Sequence, residues 1–363
     1  MQPLIEISES LRIFKRRAGG GDWKRYPGDA REICGKIVED CWNGRFFQTS
    51  TGHFCQFYSR DFAWCAESLI RLGHGQRVRK TLAYALERFS KHGHIRGAIT
   101  PSGKPFDFPR YAIDSVPYMI HTLVILSDHS LLRQYKTILE KEIAYFFKRC
   151  IDPETGFVKN DEYFTGMRDH AYRKQVCYDI VMVGMLAHDA RKLGLKHPFG
   201  QRDYVKLIKH LFWNGKWFYG DLETKAWSSE ANLLPFWSGL FNDAEMFRSV
   251  VKEIKKRGLD KPFPLKYDTE PLQNRHFLAS LFAPNYEGDT TWMHLGMIYL
   301  SLLAHYDTKE FKKHIALCTS LIERHGTFLE VFQPGGEPYS TWFYKADEGM
   351  LWSAILLELM MHR

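Results

Sequence analysis

A chain of 363 residues, 45% of them hydrophobic, can bury a large core and fits one large domain or two ordinary ones. Its formal net charge of +8, from 50 Lys and Arg against 42 Asp and Glu, comes with no nucleic-acid motif, so DNA and RNA are not expected partners. No run approaches the ~20 apolar residues that cross a bilayer, so no membrane partner is expected.

Met1–Ile13 carries polar and charged residues where a signal peptide would be apolar. The basic run Phe14–Arg17 flanks Gly19–Gly21, and residues 1–29 read as a mobile, solvated N-terminal extension. From Ala30 onward, helical periodicity predicts helices over 30–42, 61–72, 75–91, 112–127, 129–149 and 174–193. It continues over 201–211, 228–239, 242–257, 289–306, 308–325 and 347–362. Short punctuation at Gly73-His74-Gly75, Ser127-Asp128 and Tyr306-Asp307 marks helical hairpins. Longer connections, around 43–60, 92–111, 150–173, 212–227, 258–288 and 326–346, hold Gly, Pro, Trp, Tyr, Arg and Asp.

Val181–Ala187 is almost wholly apolar and Trp352–Met361 is rich in Leu and Met, as helices touching neighbours on more than one face must be. About twelve helices in six hairpins predict an all-α (α/α)6 toroid, a single domain over 30–363, although an α-solenoid shares part of this pattern. Seven cysteines, an odd number without a C-x-x-C pair, point to a reducing compartment, and the chain is expected in the cytoplasm.

Charged residues beside aromatic ones mark three stretches in long connections or at helix starts, where function is more common than packing. They are Phe57–Phe62 with Arg60 and Asp61, Tyr111–Pro117 with Asp114, and Gly326–Phe332 with Glu330. Each carries a second interpretation. Asp114 before Ser-Val-Pro fits a helix N-cap, Glu330 a solvated loop carboxylate, and Asp61 a carboxylate favoured by the helix dipole.

In order along the chain these motifs resemble the six-hairpin glycosidases, which include the glucosidase domain of glycogen-debranching enzymes, neutral invertases and processing α-glucosidases. Arg60-Asp61-Phe62 resembles their Arg-Asp-Phe/Thr helix opening, and Ile113-Asp114-Ser115 their Val-Asp-Ser/Ala motif. Glu330-Val331-Phe332, Gly335-Gly336 and Trp352-Ser353 are similar to their late Glu motif, Gly-bearing loop and Trp-Ser. Met167-Arg168-Asp169 is similar to a Trp-Met-Asp element with Arg168 inserted, and Thr291–His294 to a Trp-Pro-His element in which Met293 replaces Pro.

The resemblance implies an inverting glycoside hydrolase acting on an α-linked glucosyl oligosaccharide or disaccharide, with Asp114 as general acid and Glu330 as general base. Two carboxyls are needed because the leaving oxygen must be protonated while water attacks an oxocarbenium-like carbon. The apolar neighbours Ile113, Val116 and Tyr118 are expected to keep Asp114 protonated. Arg60, Asp61, Asp169, Glu230, Trp292 and His294 are the expected substrate-binding residues. Asn232 is a further candidate for lining the pocket, and Trp227, like Trp292, for a stacking platform.

No Walker loop, H-E-x-x-H, EF-hand loop or G-x-S-x-G is present. No cofactor is expected, and no metal, because no spacing of His, Cys and carboxylates offers ligands on one face. A sugar epimerase or isomerase using some of the 16 histidines, and a non-catalytic carbohydrate-binding protein, are the alternatives.

Overall fold

A computed structural model describes residues 2–19, 21–270 and 281–362. Gly20 of the Gly19–Gly21 run and residues 271–280 of the 258–288 connection lie outside the described residues. In chain order the described helices are α1 (Gln2–Ala18), α2 (Ala30–Asp40), α3 (Ser59–Leu69), α4 (Gly75–His92), α5 (Ser115–Leu126), α6 (His129–Cys150) and α7 (Cys177–Lys192). They continue with α8 (Tyr204–Phe212), α9 (Ser229–Trp237), α10 (Ala244–Arg257), α11 (Met293–Tyr306), α12 (Thr308–His325) and α13 (Ser353–His362). Among the described residues no helix is long and apolar enough to cross a membrane.

The chain divides into two compact units, one of residues 57–169 and 173–243, the other of residues 1–56, 170–172 and 244–363. In the first, α3 packs on α5, α5 on α7 and α7 on α9, while α4, α6 and α8 return against them as the second helices of hairpins. The punctuation works as the sequence suggested. Gly73, at φ 90°, takes the left-handed turn between α3 and α4, which only glycine adopts without strain. Asp128 caps α6 by accepting from the Ser130 and Leu131 N–H groups.

Helix α7 is buried from Cys177 through Ala187. A Cβ at Gly184 would lie 3.0 Å from Leu240 Cδ1 and 3.1 Å from Tyr204 Cβ, so the missing side chain lets α8 approach closely. A short antiparallel sheet, β1 (Phe57–Tyr58), β2 (Ala98–Ile99) and β3 (Pro105–Phe106), leads straight into α3. Two-residue strands leave no alternation to read, and so periodicity did not reveal them.

In the other unit, α11 and α12 form a hairpin whose turn is capped by Asp307, and α13 packs on both α2 and α11. Strand β4 (Thr291–Trp292) pairs antiparallel with β5 (Val331–Phe332) just before α11. That pairing delays α11 to Met293, later than the predicted start at 289. The last helix likewise begins at Ser353 rather than 347, because Asp347 and Glu348 are held in backbone pairing with Glu330 and Leu329.

The expectation of a mobile N-terminus needs correction. Residues 2–18 form α1, and its basic last turn is occupied: Arg16 pairs with Glu348, and Arg17 Nε donates to Thr341 O at 2.8 Å. Phe14 stacks on Phe343, and Trp23 Nε1 donates to Ala346 O. The run looked solvated because its partners lie more than three hundred residues away in sequence. All seven cysteines are free, and all but Cys55 are buried.

Candidate functional site

In the unit of residues 57–243, four helices present a carboxylate at their starts: Asp61 on α3, Asp114 before α5, Asp179 on α7 and Glu230 on α9. A helix N-terminus favours negative charge, so these positions suit carboxylates electrostatically. Pro117 fits the first turn of α5, where its missing N–H would have no intrahelical partner.

Asp114 occupies the N-cap position with φ −93°, yet its side chain makes no capping bond. Its Oδ2 accepts instead from Arg60 Nε at 2.7 Å and from Tyr178 Oη at 2.6 Å. Tyr178 also meets the Tyr118 hydroxyl, which accepts from Trp64 Nε1 at 3.0 Å. Asp114 is 1% exposed, but its setting is not the apolar one expected, because a guanidinium and a hydroxyl reach it from α3 and α7.

Arg60 also donates to Gly166 O and lies 3.8 Å from Asp169 Oδ1, so Arg60, Asp114 and Asp169 form one cluster. Asp61 stays half-buried one position along α3. Glu230 belongs to a second cluster: it is 0% exposed and paired with Arg168 at 3.1 Å and Arg173 at 2.9 Å. Burial alone would raise its carboxyl, but the two guanidiniums hold it below its ordinary value.

Asp179 is pushed up to about 7 by burial; Arg173 opposes the shift, and Asp114 and Glu230 reinforce it. Asn232 lines nothing: it accepts from Phe218 N and donates to Phe218 O and Ser228 O, a fully used structural clamp. Trp227 is 3% exposed, with Nε1 on Ser229 Oγ, and packs against Trp217.

The other unit places Glu330 immediately before β5, with its backbone tied on both sides: its N–H donates to Asp347 O, and its carbonyl accepts from Met293 N. The side chain is 1% exposed. Tyr286 donates to Oε1, while Tyr344 (2.5 Å) and Asp347 N (3.0 Å) donate to Oε2. No Lys or Arg is within ion-pair distance among the described residues. Burial first, then the charge of Asp347, push the carboxyl up to about 8 against these three donors.

Behind Tyr344 the network continues: His53 Nε2 lies 3.2 Å from its hydroxyl, and His53 Nδ1 lies 3.2 Å from Asp347 Oδ1. Burial lowers His53 to about 4, so it is neutral near pH 7 and orients rather than charges the relay. The competing carboxylates are elsewhere engaged or exposed. Glu348 is taken up by Arg16 and Lys24 N, and Glu337 faces solvent.

Trp292 is 7% exposed, its N–H donates to Tyr286 O at 2.7 Å, and its ring stands edge-on to Tyr286. His294 lies between Trp292 and Trp352, with Nε2 3.0 Å from Tyr267 Oη. Trp292, His294 and Glu330 are thus brought together by the β4–β5 pairing and Tyr286. A surface hollow of about 670 Å³ lined by Asp152, Phe157 and Leu207 contains none of the candidate residues.

Sequence reasoning missed Tyr178, Asp179, Arg173, Tyr286, Tyr344 and His53. Asp179 carried a legible signal, a carboxylate in the first turn of an apolar helix, as in Arg60-Asp61-Phe62. The tyrosines carried none, since nothing in their local sequence distinguishes them from core residues.

No family model matches the sequence, and no curated protein matches it. Solved structures do. A rhamnosidase from Klebsiella oxytoca, solved with rhamnose bound, superposes with a TM-score of 0.64 at 11% identity over 93% of this chain. This chain spans 65% of that protein's length. A GH63 mannosylglycerate hydrolase from Thermus thermophilus, in complex with Tris, gives 0.59 at 13% identity, over 92% of this chain and all of the other. A glycosidase variant in complex with glucose gives 0.64 at 13% identity over 97% of both chains.

The fold is therefore all-α, of the (α/α)6 toroid class. It is the fold of the six-hairpin glycosidase superfamily, to which these neighbours belong.

Proposed function

We propose that the chain is a glycoside hydrolase that removes an α-linked glucosyl unit with inversion, using Asp114 as general acid and Glu330 as general base. The observation that carries this reading is Glu330: a carboxyl buried to 1% exposure, without a cation partner among the described residues, held by two tyrosine hydroxyls and raised to about 8. Structural carboxylates are normally paired when buried, whereas a perturbed and oriented one without a cation suits a group that exchanges a proton near neutral pH. The neighbours support a sugar substrate, since the solved glycosidases carry rhamnose or glucose. Arg60, Asp61 and Asp169 are proposed to bind sugar hydroxyls, with Glu230 holding Arg168 and Arg173 in place. Trp292 and His294 are proposed to flank the sugar near Glu330. A cytoplasmic location remains part of the proposal, consistent with seven free thiols.

One observation favours a second reading in which the two carboxyls exchange roles. Arg60 and Tyr178 already donate to Asp114, while Glu330, raised to about 8, holds its proton near pH 7 as a general acid must. The test is hydrolysis of isomaltose, panose, maltose, trehalose and sucrose followed by NMR at the anomeric proton of the released sugar. β-Glucose as first product supports an inverting α-glucosidase. An epimerised sugar, or binding without turnover indifferent to Asp114→Asn, overturns it. Asp114→Asn and Glu330→Gln are each expected to lose most turnover while staying folded. A substrate with an activated leaving group restores the variant lacking the acid and not the one lacking the base, which separates the two role assignments.

A further inference from the structure

Away from the clusters above, the unit containing α10–α13 holds three potential ligands at one point. Asp260 lies in the turn after α10, and Glu310 and His314 sit one turn apart on α12. One ligand atom from each lies within 4.8 Å of the others. His314 Nε2 is 3.2 Å from Asp260 Oδ2 and 3.6 Å from Glu310 Oε2. Both ring nitrogens of His314, Asp260 Oδ1 and Glu310 Oε2 are buried without a hydrogen-bond partner of good geometry. His314 is 0% and Asp260 3% exposed, so solvent does not satisfy them. The hydroxyl of Tyr299, whose ring packs against His314, is likewise buried without a partner.

Three potential ligand atoms gathered this closely, with buried polar atoms beside them left unpartnered, are the arrangement a cation needs. Zinc bonds of 2.0–2.2 Å put neighbouring tetrahedral ligand atoms on the order of 3.3 Å apart, the scale of the two His314 distances. We propose that Asp260, Glu310 and His314 bind a divalent transition metal, of which Zn²⁺ is the best fit, with one coordination position left to water. One imidazole and two carboxylates suit zinc, whereas Ca²⁺ calls for six to eight oxygens. The two carboxylates neutralise the ion; Lys255 pairs with the other oxygen of Glu310, Oε1, and Lys313 Nζ, 3.9 Å from Oε2 and about half exposed, is the cation the metal displaces.

The role is structural. The ion ties the Asp260 turn to α12, and that turn leads by way of the Lys266 N to Leu259 O bond to Tyr267, the partner of His294. The sequence reading expected no ligands on one face. Glu310 and His314, four residues apart, do share a face of α12, and the fold adds Asp260, fifty residues earlier in the chain.

The experiment is calorimetric titration of chelator-stripped full-length protein with Zn²⁺, with thermal melts alongside. One Zn²⁺ per chain, a raised Tm, and binding weakened about tenfold or more in both His314→Ala and Glu310→Gln are expected. Glu310 is the more exposed ligand, so Glu310→Gln keeps the test open if His314→Ala fails to fold. Asp114→Asn, remote in sequence and role, should bind Zn²⁺ as wild type does. No saturable Zn²⁺ binding, or equal binding by Glu310→Gln, overturns the site.

Discussion

Replacing Tyr344 with Phe removes one of the two hydroxyls that donate to Glu330 while keeping the ring that packs against His53, Tyr286 and Tyr339. Burial and Asp347 already raise the Glu330 carboxyl to about 8, and the Tyr344 hydroxyl opposes that rise by favouring the anion. A hydrogen bond to a charged group contributes about 1.5–3 kcal/mol, and about 1.4 kcal/mol corresponds to one pH unit, so the carboxyl should move upward by roughly one to two units. The assay is kcat/KM against pH for wild type and Tyr344→Phe, on whichever glucoside the hydrolysis screen identifies. If Glu330 is the base, activity is lost as pH falls through its value, and this acidic limb moves to higher pH in the variant. If Glu330 is the acid, the alkaline limb moves upward instead. A profile with neither limb displaced would refute the assignment of Glu330 to either role.

Stability should carry the same signature: Glu330 rises from 4.5 to about 8 and Asp179 from 3.8 to about 7, both chiefly by burial. Their contribution is fully present below the unfolded values and is lost as pH rises through the folded ones. Urea unfolding should therefore show stability falling from about pH 5 to about pH 8, with Glu330→Gln flattening the decline; a wild-type curve that rises over this range contradicts the burial argument. Arg16→Ala strands Glu348, whose side chain is 3% exposed, although Arg16 itself is about a third exposed. A loss of about 1–2 kcal/mol is expected after allowing for that exposure, read from denaturant midpoints. An unchanged midpoint would mean that the Arg16–Glu348 pair adds nothing to stability.

The helices were legible because each carries a long apolar period and a local stop signal; α4 and α12 coincide with their predicted spans almost to the residue. Starts were harder to place than ends. Thr291 and Trp292 belong to a strand rather than to α11, and Asp347 and Glu348 are drawn out of α13 by pairing that no local pattern announces. α1 escaped notice because Arg16 and Arg17 find their partners at the far end of the chain. At the candidate site, Asp114 and Glu330 stood out by motif, but the groups that set their chemistry arrive from distant segments. Arg60 and Tyr178 come to Asp114 from α3 and α7, and Tyr286 and Tyr344 come to Glu330 from two separate loops. The apolar neighbours of Asp114 in sequence were a poor guide to its neighbours in space.

The helix starts of α3, α5, α7 and α9 divide each element into two territories. The opening residues carry Asp61, Asp114, Asp179 and Glu230, and the remaining turns are committed to packing against adjacent helices. The opening carboxylates at Asp114, Asp179 and Glu230 are themselves buried, so exchanging Asp114 or Glu230 strands the guanidiniums paired with it, whereas a later turn answers only to apolar packing. A scaffold partitioned in this way can drift to very low sequence identity while keeping its architecture.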